Sequence, residues 1–456
     1  MYADKVEEVV KSEPVYEINA EFQKAFDLIE NGDNLFITGS GGVGKSVFLE
    51  ILAKRLRKEG KRAMVVAPTG ISAVRVSGVT IHRGFGLPIH PLDVGYEIPE
   101  GSYKWKNYAS VLANIDVLLV DEISMVRADI FSAMDTILQG MKQSALPFGG
   151  VQVVVFGDLF QLPPIVKSKP EKQFMKDHYG TIYFFNSFSY REGSFKMIEF
   201  NKMYRQKNQE FRDALNRVRL GDINQELLDY INKKVYENQF RYADSVGDDY
   251  VYLVTNNKRK EEINLMYEDA IEEKEYEFEA SISGDMKESD TLFASNLKFK
   301  VGARIMTIYN EKSPIPEYVN GDLGEVHKIR ENEDGTISII LKMDKGIHID
   351  IERVTIEKLT YTYNEKEKKL GQNITGSLTQ YPFVLAWART IHKSQSATLD
   401  KIFIDFGNYI FAKGLIYTAL SRITDYEHLG LKRPLQLHEF DVEKEIVEFY
   451  QKEKEK

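Results

Sequence analysis

Gly39-Ser40-Gly41-Gly42-Val43-Gly44-Lys45-Ser46 is the stretch on which the reading of this chain turns. An apolar run, Leu35-Phe36-Ile37, precedes it, and an amphipathic segment opening Val47-Phe48-Leu49 follows. A G-x-x-x-x-G-K-[ST] spacing between a strand and a helix has the form of a phosphate-binding loop. The residue types answer to the chemistry. Glycines let the backbone curl until successive N–H groups face phosphate oxygens, with a helix N-terminus behind them. In such a loop the Lys45 ammonium reaches the β- and γ-phosphates and the Ser46 hydroxyl sits on Mg²⁺. The stretch therefore implies a P-loop fold that binds a nucleoside triphosphate with Mg²⁺.

Working outward, 456 residues are too many for one core and imply two to four domains. The composition, 43% hydrophobic and 28% charged, is that of a globular protein. No apolar run approaches the roughly 18 residues of a membrane span. Met1-Tyr2-Ala3-Asp4-Lys5-Val6-Glu7-Glu8 is charged where a signal peptide would be apolar. The expectation is a cytoplasmic protein with no membrane partner. Zero cysteines exclude disulfides and thiolate metal sites. A net charge of −9 argues against coating nucleic acid through bulk charge, so any such contact must rest on a local groove.

In chain order, Val15 to Glu30 reads as an amphipathic helix with Phe22, Ala25, Phe26 and Ile29 on one face. Ala63–Ala67, Val117–Val120 and Val151–Phe156 are apolar strands of the kind found in a parallel sheet covered on both faces. They end in Pro68-Thr69-Gly70, Asp121-Glu122 and Gly157-Asp158 respectively. Strands alternating with helices, with polar residues at their carboxyl ends, predict an α/β fold of doubly wound parallel sheets whose ligand lies across that edge. Between Arg83 and Ala109 the pattern lapses into prolines, tyrosines and Trp105, which reads as an insertion rather than a core element. A second α/β pattern begins near Phe195. From about 289 to 379 short alternating strands predict a small β-barrel, after which apolar strands return. The expected organisation is a first domain over 1–190, a second over 191–288 and 380–456, and the barrel inserted in the second.

Asp121 and Glu122 divide two tasks. Asp121 would hold Mg²⁺ and Glu122 would position and deprotonate the attacking water. Gln161, in Gly157-Asp158-Leu159-Phe160-Gln161-Leu162-Pro163-Pro164, would sense the γ-phosphate. The second half carries no phosphate loop but two arginines in defined settings, Arg205 in Tyr204-Arg205-Gln206 and Arg422 in Ala419-Leu420-Ser421-Arg422. An arginine delivered across a cleft stabilises transition-state charge.

This ordered set, continued by Thr80-Ile81-His82 and Thr390-Ile391-His392-Lys393-Ser394-Gln395, resembles superfamily 1 DNA helicases. The likeness is greatest to the Pif-type (petite integration frequency) family, with RecD-type enzymes as near relatives. Pro147-Phe148-Gly149-Gly150-Val151-Gln152 resembles the signature that sets the Pif-type enzymes apart, and Asn320-Gly321-Asp322-Leu323-Gly324 a segment both groups share. The resemblance implies two RecA-like domains sharing ATP and 5′-to-3′ movement along single-stranded DNA. It also implies unwinding of forked duplexes, with four-stranded guanine structures as a further substrate class. A monomer in solution is the expectation. By motif position, Gly39 to Ser46 with Gln161, Arg205 and Arg422 would bind the nucleotide. Gln23 would read adenine, although Phe22 intervenes between it and the acidic residue it usually follows. Pro68, Thr69 and His82 would face DNA from the first domain, and Thr255, Asn256, His392 and Lys393 from the second.

Ser396 stands where the family usually has Gly, which puts close backbone contact with DNA in question there. The 83–109 insertion occupies the place of a strand-separating wedge. Tyr103, Trp105 and Tyr108 between lysines would stack at a fork, or Trp105 simply anchors its helix. Two other functions stay open from the residues alone: a nucleotide-dependent switch without a motor, and an RNA-directed helicase, since contacts to the 2′-OH leave no motif.

Overall fold

The computed structural model describes residues 18–455 apart from 89, 98–102, 167, 207, 236–249, 312–315, 332–336, 365–368, 396 and 411. Ser396 thus lies outside the described residues, as does the Trp105 side chain.

The first domain is built on short strands, of which the four central ones are buried along nearly their whole length. Strands β1 (Leu35–Thr38), β2 (Ala63–Ala67), β3 (Val79–Thr80), β4 (Val117–Val120), β5 (Gln152–Phe156) and β6 (Lys196–Glu199) form one sheet in the order β3-β2-β4-β5-β1-β6. Every pairing is parallel. Every residue of β1, β2 and β4 is buried, which only apolar runs tolerate because both faces meet helices. Each fully buried Val, Leu, Ile or Phe contributes about 1.5–3 kcal/mol relative to exposure. Helices α1 (Ala20–Glu30), α2 (Lys45–Lys58) and α3 (Gly70–Arg75) are the ones that position the site. Helix α1 opens on an Asn19 cap and buries Phe22, Ala25, Phe26 and Ile29, the predicted face.

Three details of the first domain differ from the sequence expectation. Strand β6 extends the first sheet past residue 190, and the C-terminal helix Lys444–Lys454 returns to the first domain. There Phe449 stacks on Phe185 with ring centroids 4.2 Å apart. The segment read as an insertion at 83–109 is partly core, because Leu87 and Leu92 are buried and the Leu92 N–H donates to Asp129 at 3.0 Å.

The second domain carries a four-stranded parallel sheet in the order Ala388–Thr390, β7 (Val251–Val254), Ile402–Asp405, Leu429–Leu431. The segment between β7 and Ala388 is antiparallel, as expected, but a closed barrel is not what the described strands form. They pair as an open five-stranded sheet, a two-stranded ribbon, and a long hairpin (Val354–Asn364 with Lys369–Gln380) joined by Ser281–Gly284. The hairpin leaves the five-stranded sheet to pack over the first domain, so its strands do not close a ring. Arg83 ties the two parts by an ion pair to Asp285 at 3.0 Å and a hydrogen bond to Thr375.

Candidate nucleotide site between the two domains

The phosphate loop owes its shape to three left-handed glycines: Gly39 (φ +139°), Gly42 (+91°) and Gly44 (+88°). A Cβ on Gly39 would lie 2.3 Å from the Phe200 carbonyl oxygen, so this position has no room for a side chain. Gly44 is the N-cap of α2 and supplies no side-chain acceptor, which leaves the first N–H groups of α2 for an external anion. The Lys45 ammonium curls back onto its own loop, donating to the Gly39 carbonyl at 2.6 Å and the Ser40 carbonyl at 3.0 Å. Burial pulls its pKa down to about 8, against the attraction of Asp158 and Glu122.

The second domain reaches directly into this loop. On a Gly41 Cβ position, the Arg422 Nη2 would be 3.1 Å away and the Arg205 Nη1 3.3 Å away. Arg422 is fully buried, its Nε donating to the Thr418 carbonyl and its Nη2 to the Ser421 hydroxyl at 2.7 Å. Arg205 donates to the Thr398 hydroxyl at 3.0 Å and the Ser421 carbonyl at 2.9 Å. Burial, then the charge of Arg422, weighs against the Arg205 cation, and burial does the same to Arg422. Guanidinium groups stay charged in proteins, so two guanidinium groups beside the loop favour an anion there.

Opposite the cations lie the carboxylates. Asp121 is buried at the end of β4 and Glu122 follows in a left-handed conformation (φ +49°, ψ +47°), which aims adjacent side chains differently. Burial, with Glu122 alongside, pushes the Asp121 carboxyl up even though Arg75 opposes it. Gln161 is buried in the segment after β5, its amide 3.5 Å from Asp158 and its carbonyl accepting from Gln395 of the second domain at 3.3 Å. Ser46, Asp121 and Glu122 offer hard oxygen donors of the kind Mg²⁺ takes alongside substrate phosphates. Among the described residues no group of three His, Cys, Asp or Glu forms a self-sufficient metal cage.

Gln23, the expected adenine reader, is exposed and its amide is engaged with Asp27 at 2.7 Å. The rings of Phe22 and Tyr204 flank Gly44 instead, at 3.3 and 3.7 Å from a Cβ position there. The expected DNA-facing residues sit at carboxyl ends of strands in both sheets. Pro68 and Thr69 follow β2, and Thr69 caps α3. His82 lies on the turn Ile81–Gly84, and burial, aided by Arg127, lowers its pKa. Thr255 and Asn256 follow β7, with Asn256 capping the next helix. His392 and Lys393 follow Ala388–Thr390, and burial lowers both pKa values. The insert lies across part of this face. The Asp290 backbone is 2.6 Å from a Gly70 Cβ position, and Glu288 acts on Lys393.

Three residues acquire a place here that sequence reasoning did not give them. Tyr417 accepts from the Gly41 N–H at 3.1 Å and donates to Asp158 at 2.8 Å, joining the second domain to the loop. Arg219 holds Asp158 at 3.0 Å and Glu199 at 2.8 Å, with its guanidinium over Phe160 and Tyr450. Arg75 bridges Asp121 at 2.6 Å and Glu122 at 3.4 Å. Tyr417 lies on the short helix that leads into Ala419-Leu420-Ser421-Arg422, and Arg75 is a cation on an otherwise apolar segment, which is a faint signal. Nothing local marks Arg219.

The PIF1-like helicase family model matches residues 17–228. The ATP-dependent DNA helicase Pif1 of Campylobacter jejuni is 30% identical over 92% of this chain and 95% of its own length. A crystal structure of Bacteroides sp. Pif1 in complex with ADP-AlF4 superposes with a TM-score of 0.87 at 34% identity, covering 97% of this chain and 98% of that one. Bacteroides Pif1 bound to single-stranded DNA, covered to 98% by 97% of this chain at the same identity, gives 0.66. On this likeness, extending over nearly the whole chain, the protein belongs to the PIF1-like helicase family.

Proposed function

We propose that this chain is an ATP-dependent DNA helicase that moves 5′-to-3′ along single-stranded DNA and opens forked duplexes, acting as a monomer. The observation that carries the reading is the convergence on the phosphate loop of cations from both domains, Lys45 on the Gly39 and Ser40 carbonyls and Arg205 and Arg422 beside Gly41. A nucleotide switch needs only the first domain; a shared cation cluster couples hydrolysis to the relative position of two.

ATP binds with its phosphates on the loop amides and the Lys45 ammonium. Ser46 and Asp121 would hold Mg²⁺, which would supply neutralisation of the β- and γ-phosphate charge. Glu122 takes a proton from the water whose oxygen attacks the γ-phosphorus, and the bond to the β–γ bridging oxygen breaks. Arg205 and Arg422 hold the charge that develops on the transferred group, and Gln161 registers its presence. Loss of the γ-phosphate removes the shared anion and lets the domains part. Pro68, Thr69 and His82 on one side and Thr255, Asn256, His392 and Lys393 on the other then grip the strand alternately. These polar donors and imidazoles suit backbone contact without sequence readout.

The test is unwinding of duplexes carrying a 5′ or a 3′ single-stranded tail, alongside ATP turnover with and without single-stranded DNA. Turnover should rise strongly with DNA, and only the 5′-tailed duplex should open. Turnover indifferent to DNA would remove the motor reading, and unwinding of the 3′-tailed substrate alone would reverse the polarity.

A further inference from the structure

Helix α3 spans Gly70 to Arg75, and its two ends meet different business. Its start follows Pro68-Thr69, at the expected DNA face, where Gly70 presses on the Asp290 backbone of the insert. Its last residue, Arg75, puts one Nη between the Asp121 and Glu122 carboxylates, at 2.6 and 3.4 Å. The Arg75 Nε is buried with no hydrogen-bond partner among the described residues, so the guanidinium is held in place by those carboxylates rather than by a full fork of acceptors. Asp121 is buried, and a cation on its oxygen occupies lone pairs that a metal ion, directly or through water, would otherwise use.

We propose that Arg75 is a positioning residue that couples the DNA face to the ATP site: without DNA it clamps Asp121 and Glu122, and engagement of Pro68-Thr69 by a strand withdraws it through α3. This rests on the helicase reading above. One six-residue helix is about 9 Å long, short enough to move as a rigid piece. A shift at its first turn is therefore delivered to Arg75 without an intermediary. The withdrawn guanidinium frees Asp121 for Mg²⁺ and leaves Glu122 to hold the attacking water, so the enzyme hydrolyses ATP sparingly until a strand is in place.

The experiment compares wild type, Arg75→Gln and Arg75→Lys by two readouts. The first is the Mg²⁺ midpoint for binding of a fluorescent ADP analogue, with and without a short single-stranded oligonucleotide. In the wild type the oligonucleotide should lower that midpoint by about tenfold, the scale of one charge-assisted hydrogen bond. In Arg75→Gln the midpoint should already be low without DNA and should not move when DNA is added. Arg75→Lys, which keeps the charge, should restore most of the DNA response. The second readout is turnover. Arg75→Gln should raise the DNA-free rate several-fold while leaving the DNA-saturated rate near wild type, and without Mg²⁺ its oligonucleotide affinity should rise, because DNA no longer has to break the clamp. Equal losses with and without DNA, or a Mg²⁺ midpoint in Arg75→Gln that still responds to DNA, would overturn the coupling role. A wild type whose turnover ignores DNA would instead sink the helicase reading on which the proposal stands.

Discussion

Removing one oxygen atom from the cleft should make this protein bind nucleotide more tightly. The Tyr417 hydroxyl accepts from the Gly41 N–H at 3.1 Å and donates to Asp158 at 2.8 Å, in a fully buried setting. The Gly41 amide is one of those a phosphate oxygen would claim, so ATP or ADP must displace the phenol from it. Tyr417→Phe leaves that amide buried without a partner only in the nucleotide-free protein, at a cost of about 1 kcal/mol. The bound state does not carry this cost, so the affinity for ADP should rise by about fivefold, since 1.4 kcal/mol is a factor of ten. Loss of the bond to Asp158 weighs on both states and should appear separately, as a lower unfolding temperature. The assay is a titration with fluorescent ADP at fixed Mg²⁺ in the absence of DNA. An unchanged or weaker affinity would show that the hydroxyl holds the nucleotide rather than competing with it.

Other outcomes follow from the same geometry. Glu122→Gln keeps the shape of the side chain and removes the base, so ATP and DNA binding should persist while turnover falls by about 10²–10⁴, measured by phosphate release. Arg205→Ala and Arg422→Ala should each lower kcat by about 10³ or more, and the double variant by much less than the product, because both serve one anion. Lys45 gives a pH dependence. Its pKa is about 8 without nucleotide, and phosphate contact raises it, so affinity is greatest below pH 8 and declines as pH rises through that value. Binding above pH 8 should take up a proton, seen as a dependence of calorimetric heat on buffer ionisation, and Lys45→Met should abolish it. The same depression means that the unfolded chain holds more protons than the folded one between pH 8 and the ordinary lysine value. Lys45 therefore penalises folding least at the alkaline end of that window.

Much of the molecule was legible from its residues because those features are local. A phosphate loop is a run of eight residues whose glycines, lysine and serine each answer to a fixed contact, and Gly39, Gly42 and Gly44 take the backbone angles that reading requires. The parallel sheets were legible because β1, β2 and β4 are apolar throughout, as strands covered on both faces must be. What resisted was set by partners distant in the chain. Lys196–Glu199 reads like the start of a new domain and joins the old sheet beside β1, because pairing depends on which edge is open. The long hairpin Val354–Gln380 has the alternation of a barrel strand, and only its packing over the first domain shows that it closes no ring. Arg75, Arg219 and Tyr417 matter for where their charges and hydroxyl end up, 46, 61 and 376 positions from the groups they meet. Composition and spacing determined that a triphosphate binds and that strands alternate with helices. The tertiary structure alone decided which cation faces which carboxylate, since those distances are set by how two domains and an insert pack together.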